Sequence, residues 1–238
     1  MKTEDLDYRD GDLACRGYLA FDPAAGGKRP GILVVPEIFG LAEHAMERAR
    51  MLAELGYVAL GVDIFGDRRV APNLPTAMTM ATDIRTDANK LRARGRAALN
   101  ALKALPQVDG ARLASIGFCF GGTASLELAR AGEPLAGIVS FHGGLQTLAP
   151  AEPGAVKAKL LVCTGADDPL VPIDQRTAFE EEMRKAGADW QLIAYSGTGH
   201  SFTNKAADGS IMPGIKYNKS ADERSWTAMQ SFFHEIFA

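Results

Sequence analysis

The chain has 238 residues, 26 basic and 29 acidic, for a formal charge of −3, and 47% are hydrophobic, an ordinary globular composition. A near-even charge and a pI of about 5.8 offer no basic stripe for nucleic acid and no polybasic tract for an anionic membrane. No apolar run reaches the roughly 18 residues of a membrane span, and the acidic start MKTEDLDYRDGD is unlike a secretory leader, so the expected location is cytoplasmic. The three cysteines, 15, 119 and 163, cannot all pair within the chain, which suits a reducing compartment.

In chain order, the first element expected is a hairpin turning at Asp10-Gly11, with Leu13, Cys15, Gly17, Leu19 and Phe21 along one face of the returning strand. That register points Cys15 into the core. After Pro30, short apolar runs alternate with segments of helical period, the pattern of parallel strands buried on both faces. The runs are Gly31–Pro36, Val58–Val62, Leu113–Phe118, Gly137–Phe141, Leu160–Thr164 and Gln191–Tyr195. Helices are expected at 42–55, 86–104, 122–131, 174–186 and 222–237, the last with Trp226, Met229, Phe233 and Ile236 on one apolar face. Residues 66–90 carry the weakest pattern. With no repeat or linker to mark a boundary, 1–238 reads as a single α/β domain, a mostly parallel sheet with helices on both faces. In such folds, ligands bind beyond the carboxyl ends of the strands.

One strand end stands out. Gly117-Phe118-Cys119-Phe120-Gly121-Gly122 places a cysteine between a strand and a helix, with glycines at minus two and plus two. This is the arrangement of a nucleophile elbow: side chains at the flanking positions of so sharp a turn would collide. The thiol sits at the tip, where the amides and positive dipole end of the following helix favour a thiolate and an oxyanion beside it, with the Phe120 N–H as donor. The alternative, an inert buried thiol, suits Cys163 in Leu-Leu-Val-Cys-Thr better.

A thiol nucleophile needs a base, and the base an orienting carboxylate, in the chain order nucleophile, acid, histidine. Asp167 and Asp168 follow one strand, and His200 follows the next. Of the other histidines, His44 and His234 fall on helices, where solvated positions are expected. His142, in Phe141-His142-Gly143-Gly144, ends a strand and either lines the pocket or supports the structure.

With these residues placed, the chain resembles the dienelactone hydrolase family of α/β-hydrolases. The resemblance rests on Val34-Val35-Pro36-Glu37-Ile38-Phe39-Gly40, the segment 117–122, Ser140-Phe141-His142-Gly143-Gly144, Asp168-Pro169-Leu170-Val171-Pro172 and Gly199-His200-Ser201-Phe202. It implies an α/β-hydrolase fold and selects Asp168, ahead of x-x-Val-Pro, as the acid, leaving Asp167 as a turn residue or solvated charge. It also implies that Glu37 hydrogen-bonds the resting cysteine and that the Ile38 N–H is a second oxyanion donor. A carboxylate there keeps the thiol protonated and protected from oxidation until substrate displaces it. The family's substrate-binding arginine four residues after the histidine is here Asn204. Arg68, Arg69 and Arg85 are candidates to replace it, or are solvated charges.

The reaction expected is hydrolysis of carboxylic esters or lactones through a thioester, with no metal or organic cofactor, on a small-molecule substrate and without a nucleic-acid or membrane partner. A thiolate leaves before an ordinary alkoxide or amide nitrogen, so enol lactones and aryl esters should react and plain amides should not. An activated phosphotriester is a conceivable side substrate for the same oxyanion hole. Two rivals are a thiol redox protein using Cys119, which lacks a neighbouring resolving cysteine, and a non-catalytic ligand-binding module on the same fold.

Overall fold

The computed structural model describes residues 1–238. Its strands are β1 (Lys2–Asp10), β2 (Leu13–Phe21), β3 (Arg29–Val35), β4 (Val58–Gly61), β5 (Val108–Phe118), β6 (Gly137–Phe141), β7 (Lys159–Gly165) and β8 (Trp190–Tyr195). Six helices lie among them: α1 (Glu43–Glu54), α2 (Leu74–Arg85), α3 (Ala88–Lys103), α4 (Phe120–Arg130), α5 (Ile173–Ala186) and α6 (Lys219–Phe237). The sheet order is β1-β2-β4-β3-β5-β6-β7-β8. Antiparallel pairing is confined to β1 with β2 and β2 with β4 among the described pairs, whereas β3–β4, β6–β7 and β7–β8 run parallel. This is the mostly parallel sheet with an N-terminal hairpin that the sequence pattern implies. No helix is long and apolar enough to cross a membrane.

The chain divides into two compact units, Met1–Ile116 and Gly117–Ala238. In the first, the hairpin turns at Gly11 with φ 58°, and Cys15 and Leu19 are buried as the alternation requires. α1 buries Ala45, Ala49, Leu52 and Ala53, the spacing of one helical face. The Asp63 carboxylate accepts from the backbone N–H groups of Arg16, Gly66 and Arg68, which holds Asp67 and Arg68 at φ 53°. Arg68 reaches Asp5 and the Arg16 carbonyl, Arg69 the Phe65 carbonyl, and Arg85 the Met78 sulfur. These three arginines are thus held by local partners. Helix α2 was not expected from the sequence: it buries only Ala77, Ala81 and Ile84, too small a stripe to show as helical period.

In the second unit, β6 and β7 are buried along almost their whole length. Helix α6 docks through Met229, Phe232 and Phe233, and a Cβ at Gly137 would lie 2.5 Å from Ile236, so the helix sits directly on the strand backbone. Arg130, fully buried at the end of α4, pairs with Glu127 (3.1 Å) and Glu182 (2.8 Å) and donates to the Leu145 carbonyl. That network ties α4, α5 and the loop after β6 together. Because the guanidinium is matched by two carboxylates, it is a satisfied buried charge.

Candidate active site

Steric exclusion builds the elbow. A Cβ at Gly117 would stand 2.0 Å from the Gly121 carbonyl oxygen, so the strand end and the first turn of α4 approach closer than any side chain allows. Cys119 is the N-cap of α4 at φ 52°, ψ −118°, a conformation sparsely populated for a residue with a Cβ. Its carbonyl accepts from Gly122 (2.9 Å) and Thr123 (3.3 Å), and its own N–H is shared between the Phe141 carbonyl (3.0 Å) and His142 Nδ1 (3.1 Å). The helix starts directly after the cysteine rather than at 122, which brings its positive end to the thiol.

His200 and Asp168 pair, the two residues that the chain order singles out as candidate base and acid. His200 Nδ1 lies 2.8 Å from Asp168 Oδ2, both side chains at most 4% exposed, and the other carboxylate oxygen, Oδ1, accepts from the Leu170 N–H at 2.8 Å. Asp167 is exposed, the solvated position expected of it. The opposite nitrogen, His200 Nε2, is buried with no aligned hydrogen-bond partner. Burial works against a charged imidazole there, but the attraction of a negative charge on Cys119 and the hydrogen bond to Asp168 outweigh it. His200 is pushed up to about 10. Cys119 is therefore near enough to act on the charge of the ring, although Nε2 has no aligned hydrogen bond at rest.

The remaining residues fall into two groups. His142, which the sequence left between pocket and support, is fully buried, and its Nε2 lies 2.8 Å from Thr203 Oγ1. Its ring is edge-on to His200 with centroids 5.1 Å apart. In the first unit, Glu37 is buried, with Oε2 3.8 Å from His44 Nδ1, and Ile38 follows it just beyond β3. The expectation of a solvated His44 is wrong: its side chain is only 10% exposed, because α1 turns this position inward beside Glu37. His234 is exposed. Asn204 caps its own turn, its Oδ1 accepting from the Ala206 N–H. Cys163 is buried against Tyr195 and its thiol is pushed up to about 12 by that burial, as suits an inert core cysteine.

Residues 15–237 match the dienelactone hydrolase family. The chain belongs to that family. It is a dienelactone hydrolase-like enzyme of the class that hydrolyses lactones and esters. It is 43% identical to a dienelactone hydrolase-like promiscuous phosphotriesterase from metagenomic libraries, over 99% of this chain and 98% of that one, with a TM-score of 0.94. A second solved structure, named m3DLH, is 46% identical over 100% of this chain and 99% of its own, with a TM-score of 0.96. A "Putative carboxymethylenebutenolidase" of Methylorubrum extorquens is 30% identical over 90% of this chain and 74% of its own length.

Proposed function

We propose that this dienelactone hydrolase-like protein hydrolyses neutral, activated carboxylic esters and lactones through a Cys119 thioester. The observation that carries the reading is the orientation of His200: Nδ1 is engaged by Asp168 at 2.8 Å, and the opposite nitrogen, Nε2, is buried with no aligned hydrogen-bond partner. Asp168 orients the ring, so that Nε2 holds the proton given up by the thiol, as the raised pKa of His200 favours, and Sγ attacks the carbonyl. The Phe120 N–H, at the first position of α4, stabilises the oxyanion. The Cys119 N–H is already occupied by Phe141 and His142, which favours Phe120 for that task. His200 then donates its proton to the leaving oxygen, and water activated by the same nitrogen clears the thioester.

The family resemblance supplies two further parts: the Ile38 N–H as second oxyanion donor, and Glu37 as the carboxylate that restrains the thiol until substrate arrives. Glu37 thus acts against the thiolate that the His200 side favours. Similarity to a promiscuous phosphotriesterase supports a side activity on activated phosphotriesters, in which the same oxyanion site holds the phosphoryl oxygen.

The substrate preference rests on the loops at the carboxyl ends of β6 and β7. Leu148 and Leu170 in those loops and Ile173 at the start of α5 stand 72%, 44% and 73% exposed, and Asp167 and Asp174 are exposed acidic residues of the segment after β7. Exposed apolar side chains and acidic neighbours in the segments that follow β6 and β7 support a preference for an apolar neutral substrate over a carboxylate. The test is steady-state hydrolysis of p-nitrophenyl acetate: sustained p-nitrophenol release that disappears in both Cys119→Ala and His200→Ala is expected. Release of one equivalent followed by arrest, or turnover surviving in Cys119→Ala, would overturn the reading.

A further inference from the structure

The family reaction uses one histidine, yet the structure packs a second against it. His142 directly follows β6 at φ 41°, wholly inaccessible to solvent and boxed by aromatic rings: His200 and Phe202 edge-on at 5.1 Å, and Phe118 tilted at 6.2 Å. Its polar ends point in opposite directions. Nδ1 is 3.1 Å from the backbone nitrogen of Cys119, and Nε2 is 2.8 Å from Thr203 Oγ1, three residues beyond His200.

A backbone N–H can only donate, so Nδ1 must present a lone pair to Cys119. The ring's proton then sits on Nε2 and is donated to the Thr203 hydroxyl oxygen. Protonating both nitrogens would set an N–H against the Cys119 N–H, so the neutral imidazole is the form that fits. We propose that His142 is a positioning residue, a neutral Nε2–H imidazole that braces the backbone of Cys119 against the loop carrying His200 and so sets the reach between sulfur and base.

The brace has a job because Cys119 needs one. A non-glycine residue at φ 52°, ψ −118° carries backbone strain and holds only where neighbours over-determine it. The Cys119 N–H has two acceptors, one the strand carbonyl of Phe141 and the other His142. Only the second also reaches the base's loop. Loss of His142 leaves the elbow attached to β6 but uncouples it from Thr203, and with it from His200.

The inference rests on the reading of Cys119 and His200 as nucleophile and base, and the experiment separates the two. In the intact protein, long-range proton–nitrogen NMR should find His142 protonated on Nε2 alone at neutral pH; an Nδ1–H or doubly protonated ring would overturn the proposal without touching the nucleophile reading. For turnover of p-nitrophenyl acetate, His142→Phe fills the box and removes both polar ends. It should lower kcat about 100-fold, the order of effect of a displacement near 1 Å at a reacting centre, with KM changed less than about twofold because no substrate contact is lost. His142→Asn keeps an acceptor near the Nδ1 position and tolerates a positive φ better than most residues, so it should recover kcat to within about tenfold of the parent. Equal impairment of both variants at unchanged melting temperature, or no impairment in either, would overturn the positioning role. Turnover that survives in Cys119→Ala would remove the nucleophile reading and the positioning role with it.

Discussion

Substituting Gly117 by alanine tests the elbow where its geometry is least forgiving. The added Cβ would lie 2.0 Å from the Gly121 carbonyl oxygen, 2.3 Å from its carbon and 2.7 Å from the Gly122 nitrogen. All three are backbone atoms of the first turn of α4, so no side-chain rotation relieves the overlap, and carbonyl and strand must part by more than about 1 Å to reach an ordinary contact near 3.5 Å. Overpacking a well-filled site costs roughly 1–3 kcal/mol, occasionally more, and with backbone on both sides the upper end, about 3 kcal/mol, is expected. For a chain of this size each kcal/mol lowers the melting temperature by roughly 2–4 °C, which gives a fall of about 6–12 °C. The same displacement moves Cys119 and the Phe120 N–H, for a loss in kcat of about 100-fold. Differential scanning fluorimetry and p-nitrophenyl acetate turnover read both. A variant that melts within about 2 °C of the parent and turns over at the same rate would refute the argument.

Other expectations follow from the same geometry. Asp168→Asn keeps an oxygen for the Leu170 N–H but offers an amide to His200 Nδ1, which selects the wrong tautomer; kcat should fall about 10³–10⁴-fold in steady-state assays while the fold survives. Against the lowering effect of burial, the charge of Cys119 and the hydrogen bond to Asp168 raise His200 from its ordinary value to about 10, so its imidazole titration by NMR should move down in Cys119→Ala. Because the folded value lies above the unfolded one, this group's stabilisation is full below about 6.5 and is lost as pH rises through about 10; thermal melts of the parent should show that loss and melts of Cys119→Ala much less of it. Arg130→Ala strands the Glu127 carboxylate, whose side chain is 3% exposed, and should cost about 3–5 kcal/mol in urea denaturation. Glu37→Gln should speed alkylation of Cys119 by iodoacetamide in the free enzyme, since it removes the charge proposed to restrain the thiolate; an unchanged rate would exclude that role. A neutral p-nitrophenyl ester should be preferred over one whose acyl group carries a carboxylate by at least about tenfold in kcat/KM, a ratio worth about 1.4 kcal/mol.

Much of this arrangement was legible in the chain because the signals were of the kinds that survive in one dimension. Gly137–Phe141 is apolar throughout, and β6 occupies those residues without a shift. The glycines around Cys119 marked a turn that only their lack of Cβ permits. The order of Asp168 and His200 after successive strands anticipated their pairing, although choosing Asp168 over Asp167 needed the family resemblance. Helix α2 was illegible for a physical reason: its sequence LPTAMTMATDIR is rich in threonine and methionine on faces that meet solvent, and Thr79 and Thr82 bond back to their own helix. The available sign was its start, Asn73 accepting from the Thr76 N–H with Pro75 just inside. β5 begins five residues before the apolar run because Val108–Arg112 is half exposed and carries no strong alternation. The pair of hydrogen bonds made by His142 was beyond reach: it depends on a positive φ at a non-glycine residue and on a threonine 61 residues away. His44 was misread because a helix position says nothing of the carboxylate that faces it.

The most direct test of covalent catalysis at Cys119 is to quench the p-nitrophenyl acetate reaction in acid during turnover and locate the acyl group by peptide mass spectrometry. An acetyl group on Cys119, labile to neutral hydroxylamine as a thioester is, and accumulating when Asp168→Asn slows its hydrolysis, is the predicted result. Continued turnover with the acyl group on another residue, or with Cys119 unmodified at every time point, would contradict the account.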